Sequence, residues 1–392
     1  MAKPLLPHIG VLAFVPDDWG PHWESRHHMM SRLAAYFNVV WLEPSHGWRD
    51  SIRILVRRGR LEPEPPEGLH VHRPDPWLPR FYRTAWLDHL ARDARLRNAR
   101  KRLASLGCSK LVLHIWRPDF LFALETIPAD FTLYHVDDEY SFSDVEPSPK
   151  NEAILLERAD QVIVHSTALL QKKGGINPHT ALIPNGVDFA EYAIPHSQPP
   201  DIARIPPPRI GYSGHLKRQL DWRVIGDLVR RHPEWSFVFV GAVRPHPEVA
   251  GIINGLSSYA NVHFLGAKTV HELAKYPQHF DCCIMPYAET SYTSCMYPMK
   301  LHEYLASGRP AVGAPIPALE EFSHVMELAR TPEEWSTAIQ HALSPAANTP
   351  DKRHERQAIA RQHDWDALAF RVATIIADGL GETIVVDGSS VA

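Results

Sequence analysis

The chain has 392 residues, of which 22% are charged and 44% are hydrophobic, and its formal net charge at pH 7 is −4. This length predicts two domains, each with its own core, because domains usually contain ~100–200 residues. The hydrophobic content excludes a disordered polyelectrolyte, and the slightly acidic balance gives no reason to expect a nucleic acid partner. Thirty-five residues are proline, well above the usual share of ~5%, so the loops should be stiff.

The charge is unevenly distributed along the chain. Residues 49–110 contain 15 Arg or Lys against seven Asp or Glu, a local net charge of +8 that leaves −12 for the rest. Trp77, Tyr82 and Trp86 lie among these basic residues, and aromatic rings beside arginines suit the headgroup region of a bilayer. A solvated basic helix is the alternative. The stretch therefore predicts contact with an anionic membrane surface, with Arg57, Arg58 and Arg60 as contributors.

Cysteine usage and the start of the chain favour a cytoplasmic protein, and the basic stretch favours a peripheral position on the inner face of the membrane. The four cysteines include no CxxC pair, which argues against a disulfide framework or a zinc site and favours a reducing compartment. Pro4, Pro7 and His8 interrupt the apolar start, so we expect a first strand there rather than a signal peptide. The sequence contains no run of 18 apolar residues, so no membrane span is predicted.

Short apolar runs alternate with helical patterns through the first half of the chain. The runs have the continuous apolar character of strands buried on both faces, and the segments between them are long enough for crossover connections. Residues 1–195 are therefore predicted to form an α/β domain with a mainly parallel sheet. The predicted strands are Ile9–Val15, Val39–Leu42, Leu111–Ile115, Thr132–Val136, Gln161–His165 and Thr180–Ile183, and Ser25–Phe37 is predicted to be helical.

A proline-rich stretch separates this pattern from a second one. Residues 196–208 are predicted to be a stiff linker, residues 209–360 a second α/β domain, residues 361–380 a helix that packs back on the first domain, and residues 381–392 a tail. Ligands bind at the carboxyl ends of strands in such folds, so we expect functional residues on loops that follow strands. The predicted strands of the second domain are Arg209–Tyr212, Ser236–Val240, Val262–Leu265, Asp281–Met285 and Pro310–Val312.

Residues 285–310 carry the most informative pattern. A strand and a polar loop precede Pro298, which suits the first turn of a helix, and Gly308 suits its end. Lys300 and Glu303 are three residues apart and so share one face of this helix. Near a helix N-terminus a lysine can bind phosphate, and a carboxylate one turn later can accept hydrogen bonds from a ribose diol. A nucleoside diphosphate offers both groups; an exposed Lys/Glu helix face is the alternative.

The pattern Pro298-x-Lys300-x-x-Glu303-Tyr-Leu-Ala-x-Gly308-x-Pro310 resembles the donor-site signature of the GT-B glycosyltransferases, particularly family 4 (group 1). Other segments are similar to further parts of this family, and the resemblance covers most of residues 160–320. These segments are Ile183–Asp188, Gly211–Gly214, Phe237–Gly241 and Asn261–Gly266. The resemblance implies a GT-B fold, in which two Rossmann-like doubly wound α/β domains face a central cleft.

The family implies that a nucleotide sugar binds the C-terminal domain and that a saccharide acceptor binds the N-terminal domain. Lys300 would contact the diphosphate and Glu303 the ribose, Gly214 would allow close approach beside the phosphates, and Tyr287 would stack near the base. Arg218, preferred over Lys217, would be a further phosphate contact. The donor residues implied in this way are Gly214, Arg218, Tyr287, Met299, Lys300 and Glu303. The nucleotide sugar is a substrate here, so no cofactor is expected.

Cys295 departs from the family pattern. Family 4 usually has a first glutamate eight residues before the second, and Cys295 occupies that position. The paired-glutamate motif is therefore incomplete, and both retention and inversion of the sugar's configuration stay open.

Asp137, Asp138 and Glu139 follow the predicted strand Thr132–Val136. Acids at the carboxyl end of a strand can act as a general base towards a sugar hydroxyl; a solvated acidic turn is the alternative. Together with Tyr287 and Lys300, this stretch also resembles the inverting GT-B glucuronosyltransferase of xanthan assembly, which lacks the first glutamate as well. That resemblance implies that Asp138 is the base.

Aromatic and basic residues after two predicted strands are candidates for contacts with the acceptor. These candidates are Trp19, His22, Trp23, Arg26 and Trp116. The 24 histidines include no HExxH motif, so no metal site is predicted.

The sequence thus predicts a hexosyltransferase that moves a sugar from a nucleotide donor, taken to be a UDP-sugar, to a saccharide acceptor. We expect that acceptor to be lipid-linked and the product to be a cell-surface polysaccharide or exopolysaccharide. Two alternatives remain open. One is a GT-B sugar-nucleotide epimerase, which would need further acids and histidines in its active site. The other is a catalytically silent GT-B binding subunit, which the missing first glutamate suggests.

Overall fold

The computed structural model describes residues 3–45, 63–75, 80, 84–140, 149–244 and 246–385. The chain forms two compact units. Unit 1 consists of Met1–His165, Leu169–Ile183 and Leu368–Ala392, and unit 2 of Ser166–Ala168 and Pro184–Ala367.

Unit 1 is built on a seven-stranded sheet with the strand order β3-β2-β1-β4-β5-β6-β7. Neighbouring strands run parallel, and all six residues of the central strand β1 are buried. This burial explains the uninterrupted apolar run in the sequence. The strands are β1 (Ile9–Phe14), β2 (Asn38–Leu42), β3 (Leu69–His72), β4 (Lys110–Ile115), β5 (Phe131–Val136), β6 (Gln161–Val164) and β7 (Thr180–Leu182).

Unit 2 is built on a six-stranded parallel sheet with the order β10-β9-β8-β11-β12-β13. In both sheets the first strand of the unit lies in the interior. The following strands are added first on one side of it and then on the other, which is the doubly wound arrangement. The strands are β8 (Arg209–Ser213), β9 (Ser236–Val240), β10 (Val262–Phe264), β11 (Cys282–Met285), β12 (Ala311–Gly313) and β13 (Glu327–Leu328).

Helices connect the strands in both units. In chain order they are α1 (Ser25–Leu33), α2 (Ala85–Ser105), α3 (Leu121–Thr126), α4 (Pro149–Arg158), α5 (Thr167–Lys173), α6 (Phe189–Ala193), α7 (Trp222–Arg231), α8 (Pro247–Leu256), α9 (Val270–Leu273), α10 (Lys300–Ala306), α11 (Pro317–Glu320), α12 (Pro332–Ala342), α13 (Pro350–Arg361) and α14 (Trp365–Gly379). Short 3₁₀ helices lie at Pro118–Phe120, Pro277–His279 and Pro345–Asn348. Within the described ranges, no helix combines the length and the apolar character that crossing a bilayer requires.

The proline-rich segment 196–208, predicted to be a linker, packs within unit 2. Ile202 is fully buried in the core of this unit and Ile205 is 5% exposed. Asp201 accepts hydrogen bonds from Lys268 and from Tyr276, at 2.8 and 2.9 Å. The two apolar side chains explain this packing, since both gain from leaving water.

Candidate functional site

The segment predicted to bind the donor contains helix α10 of unit 2. This helix follows the loop after β11. The structure starts the helix at Lys300, two residues later than Pro298, and it has seven residues. Leu301, Tyr304 and Leu305 are fully buried, as the helical periodicity predicts. The helix ends at Gly308, whose φ is +73°, a backbone conformation that residues other than glycine rarely adopt.

Lys300 and Gly214 lie against each other. Gly214 follows β8 with φ +129°, and a Cβ atom there would overlap with Cε and Nζ of Lys300. The Lys300 ammonium is also 5.4 Å from the ring centroid of Tyr212, a cation–π distance. The structure therefore brings these two sequence-predicted residues together, and the space above Gly214 holds the lysine side chain.

Glu303 is also part of this group. Its side chain is largely buried, with the residue 9% exposed, and it accepts a hydrogen bond from the Tyr192 hydroxyl. Burial raises the pKa of Tyr192, and the charge of Glu303 raises it further. Tyr192 lies on α6, directly after the segment Ile183–Asp188, so two motifs that are more than 100 residues apart in sequence meet at Glu303.

Two other predicted donor contacts have a different environment from the one expected. Tyr287 is 3% exposed and is hydrogen-bonded to Tyr212, and burial raises its pKa. Its ring is therefore largely enclosed by protein, and its contact with a nucleobase stays a prediction. Met299 is half-buried, and its carbonyl accepts hydrogen bonds from the backbone of His302 and Glu303 at 3.1 and 3.2 Å.

Arg218 and Cys295 complete the predicted features of this unit. Arg218 is exposed and lines a cavity of about 420 Å³ together with Asp221 and Glu248. Cys295 is 7% exposed, and its carbonyl accepts a hydrogen bond of 2.7 Å from Ser166. A small buried thiol thus stands where the family usually has a carboxylate.

In unit 1 the three consecutive acids after β5 have three different environments. Asp137 forms an ion pair with Arg26 and accepts a hydrogen bond of 2.6 Å from Tyr140. The Glu139 carboxylate is fully buried and pairs with Lys172 at 2.8 Å and Lys173 at 3.2 Å.

Asp138 lies between these paired neighbours and remains half-exposed. One of its carboxylate oxygens accepts a hydrogen bond of 2.9 Å from the backbone of Glu139. Asp138 therefore combines a backbone hydrogen bond with partial access to solvent.

His165, which sequence reasoning did not select, lies near Asp138. Burial lowers the pKa of His165, and the charge of Asp138 opposes that lowering. Its Nδ1 is 3.0 Å from the carbonyl of Val136, the last residue of β5. His165 directly follows β6, which pairs with β5 in the sheet. Its position after a strand next to β5 is the sequence feature that could have identified it.

The predicted acceptor contacts divide by burial. Trp19 and Trp116 are 2% and 1% exposed, so they offer almost no surface to a ligand in this structure. Trp116 stacks on His135 with ring centroids 3.9 Å apart. Trp23 is half-buried, and its ring lies 5.4 Å from that of Trp19.

His22 and Arg26 are the other two predicted contacts. His22 is exposed. Arg26 has a side chain that is 14% exposed, and it pairs with Asp17 at 2.6 Å as well as with Asp137. Arg26 therefore fixes the loop after β1 to the loop after β5. Arg57, Arg58 and Arg60, predicted to contact a membrane, lie outside the described residues. Among the residues that the structure describes, no group of three or more His, Cys, Asp or Glu could hold a metal ion.

Comparisons with known proteins give a family match within unit 2 and one curated relative. The family "Glycosyl transferases group 1" matches residues 207–345, which contain Gly214, Lys300 and Glu303. The Bacillus subtilis (strain 168) protein TuaH, which is named for a glycosyltransferase of teichuronic acid biosynthesis, is 28% identical over 230 residues. That match spans 55% of this chain and 56% of TuaH, so it covers little more than half of each protein.

Solved structures share the fold over nearly the whole chain. Sucrose-phosphate synthase from Thermosynechococcus elongatus has a TM-score of 0.69 at 18% identity, covering 94% of this chain and 98% of that one. An E. coli trehalose-6-phosphate protein bound with UDP-2-fluoro glucose has a TM-score of 0.66 at 12% identity, covering 95% and 99%. Residues 207–345 thus match the group 1 glycosyltransferases, and the chain as a whole has the GT-B fold.

Proposed function

We propose that this protein transfers a sugar from a nucleotide donor, a UDP-sugar, to a hydroxyl of a saccharide acceptor. The observation that carries the proposal is the group formed by Gly214, Lys300 and Glu303 in unit 2, inside the stretch that matches the group 1 family. A cation and a carboxylate one helical turn apart suit a diphosphate and a ribose diol.

Lys300 supplies the positive charge of the donor site. Its ammonium has no carboxylate partner within 4 Å among the residues described, and it lies beside the positive-φ turn at Gly214. One lysine–phosphate pair at 4 Å is worth about 4 kcal/mol at an effective dielectric of 20. UDP as the nucleotide is supported by the E. coli structural neighbour that is bound with UDP-2-fluoro glucose.

Asp138 is the proposed general base. The acceptor oxygen attacks the anomeric carbon of the donor sugar, its proton passes to the Asp138 carboxylate, and the bond from that carbon to the diphosphate oxygen breaks. The diphosphate leaves with the electron pair. A carboxylate is a weak base, so it accepts the proton late, when the attacking hydroxyl has become acidic.

A cell-surface polysaccharide is the proposed product, and a lipid-linked saccharide the proposed acceptor. The relationship to TuaH supports the first part. For the second, Trp86 and Leu90 on α2 are 64% and 57% exposed, and Arg97 and Lys101 follow along the same face of the helix. Exposed apolar residues next to basic ones suit an anionic bilayer surface.

Sedimentation with vesicles tests this membrane contact. A Trp86→Ala/Leu90→Ala variant should bind vesicles rich in anionic lipid more weakly than the unmodified protein, while its nucleotide affinity stays the same. Equal vesicle binding by both proteins would remove α2 from the membrane contact.

Incubation of the purified protein with UDP-sugars, with and without a lipid-linked saccharide, tests the proposed reaction. Acceptor-dependent release of UDP is expected. Conversion of the sugar without any acceptor would favour the epimerase, and nucleotide binding without turnover under both conditions would favour the silent subunit.

A further inference from the structure

Unit 1 contains a cavity of about 380 Å³ at the carboxyl edge of its sheet. Residues that follow β1, β2, β3 and β4 line it on one side, and arginines of α2 line it on the other. The lining residues that matter here are Phe14, Arg92, Arg95, Arg117, Phe120 and Phe122. In an open α/β sheet this edge is where ligands bind.

Arg92 is a cation that lines this cavity. Its Nε is buried, and among the described residues no atom accepts a hydrogen bond from it. An oxygen of the Asp93 carboxylate, also buried and without a hydrogen-bond partner, is 3.9 Å from that nitrogen, which is within ion-pair distance but too far for a hydrogen bond. The Arg92 side chain is 23% exposed, so its guanidinium can contact an anionic ligand in the cavity through a charge-assisted hydrogen bond.

Four arginines line the cavity, Arg80, Arg92, Arg95 and Arg117, against three carboxylates, Glu43, Asp88 and Asp119. Arg117 pairs with Asp119 at 3.1 Å. Burial lowers the pKa of Arg95, the positive charges of Arg92 and Arg80 contribute to the lowering, and Asp88 opposes it. An anion bound between these arginines would relieve their mutual repulsion.

The cavity also offers aromatic surface. The rings of Phe14, Phe120 and Phe122 lie within 6.0–6.2 Å of one another. The Arg92 guanidinium sits 4.5 Å from the ring centroid of Phe122, so cation and aromatic face are presented side by side. This pairing suits a molecule that has both an apolar ring face and a negative group.

The cavity adjoins the loop that carries Asp138. The Arg117 guanidinium lies 5.8 Å from the ring of Tyr140, and the Tyr140 hydroxyl donates to Asp137. Asp137 directly precedes the proposed base. A ligand in the cavity would therefore lie on the same edge of the unit 1 sheet as Asp138.

We propose that this cavity binds an anionic group of the acceptor, namely a carboxylate or a phosphate carried by a saccharide. Naming the ligand as the acceptor rests on the proposed function, whereas the preference for an anionic sugar rests on Arg92 and its surroundings alone.

Direct binding of small sugars tests the proposal without any turnover. The probes are methyl glucuronide, glucose 1-phosphate and the neutral methyl glucoside, with dissociation constants measured by ligand-observed NMR titration. At least one anionic probe should bind ~10-fold or more tightly than the neutral one, as expected for a charge-assisted hydrogen bond. The two anionic probes distinguish a carboxylate from a phosphate ligand. Equal affinity for neutral and anionic probes, or no binding at all, would overturn the proposal.

Substitutions on α2 test whether the affinity for the anionic sugar depends on Arg92. Arg92→Gln should lose ~10-fold or more of the affinity for the anionic probe, and Arg92→Lys should keep part of it. Arg100→Gln is the matched control, because Arg100 is exposed on the same helix, and it should bind like the unmodified protein. Equal losses in Arg92→Gln and Arg100→Gln would contradict the proposal, and if Arg92→Gln does not fold, the lysine variant and the probe comparison decide.

The affinity for UDP, measured on the same samples, separates this proposal from the proposed function. UDP binding without anionic sugar binding would overturn the cavity proposal alone. Anionic sugar binding without UDP binding would leave the cavity assignment standing and overturn the glycosyl transfer.

Discussion

The side chain of Lys300 lies directly over the backbone of Gly214, and the space between them is too small for a methyl group. Residue 214 is therefore glycine for two reasons, its φ of +129° and the lysine above it. This contact fixes the ammonium beside the turn that follows β8. The position of the lysine, more than the short helix it begins, defines the proposed phosphate site.

A Gly214→Ala substitution should consequently disturb both stability and nucleotide binding. We expect a loss of about 1–3 kcal/mol in the free energy of unfolding, because alanine is strained at this φ, together with weaker UDP binding because Lys300 must move. Urea titration and calorimetry measure the two effects. Gly255→Ala is the control, since a Cβ atom at Gly255 meets nothing within 4 Å, and it should change neither quantity for the worse. A Gly214→Ala protein with unchanged UDP affinity would contradict this role for the contact.

The hydrogen bond from Tyr192 to Glu303 should orient the carboxylate that we propose contacts the ribose. Tyr192→Phe is expected to reduce the preference for UDP over 2′,3′-dideoxy-UDP by roughly 3–10-fold, in line with the loss of one hydrogen bond. Competition binding with the two nucleotides measures this preference. Tyr297→Phe is the control, because Tyr297 is hydrogen-bonded to His302 on the same helix at 2.8 Å. The same change in both variants would assign Tyr192 a structural role only.

Asp138→Asn should abolish transfer and leave donor binding intact. The amide keeps the shape of the side chain but cannot take up a proton, and general-base catalysis is typically worth ~10²–10⁴-fold. UDP release in the presence of acceptor and UDP affinity in its absence are the two measurements. Asp378→Asn, an exposed change in the same unit, should behave like the unmodified protein. Full activity of Asp138→Asn would remove Asp138 from the reaction.

Stability should fall as the pH falls below the ordinary histidine pKa of ~6.5. Burial lowers the pKa of His114 to about 3 and lowers those of His135 and His165 as well. Below pH ~6.5 the unfolded chain takes up protons that the folded chain does not, so the stabilisation is complete above this pH and is lost towards the folded pKa, by at most ~1.4 kcal/mol per group and pH unit.

Melting temperatures between pH 7.5 and pH 5 check this expectation. His114→Gln should flatten the dependence, whereas His22→Gln, which changes an exposed side chain, should keep it. A melting temperature that is constant over this range would contradict the assignment of these histidines as buried and neutral.

The strands could be predicted because most of them are buried on both faces. The runs around β1, β5 and β9 are continuous and apolar, and the structure contains strands there. The prediction missed β3 and β13, which lie at the edges of their sheets. β3 reads Leu-His-Val-His with one buried residue, and β13 has two half-buried residues. Edge strands bury fewer apolar side chains, so their sequences show only a weak apolar pattern.

The site could be predicted only where its residues are close in sequence. Lys300 and Glu303 share one helical turn, so their spacing in the sequence was enough to predict that they lie on the same helix face. Tyr192 and His165 reach their partners through tertiary packing, which no local pattern records. Trp19, Trp116 and Tyr287 follow strands as ligand contacts often do, yet they are buried. Large aromatic side chains gain so much from burial that their position in a loop does not imply exposure.

The central claim is that unit 2 binds a nucleoside diphosphate through Lys300. Calorimetric titration of the unmodified protein and of Lys300→Ala with UDP, UMP and uridine tests it most directly, with Lys352→Ala as a control for an exposed lysine of the same unit. We expect UDP to bind more tightly than UMP and uridine, and Lys300→Ala alone to lose ~10-fold or more of the UDP affinity. No UDP binding by the unmodified protein, or the same UDP affinity in Lys300→Ala, would contradict the claim.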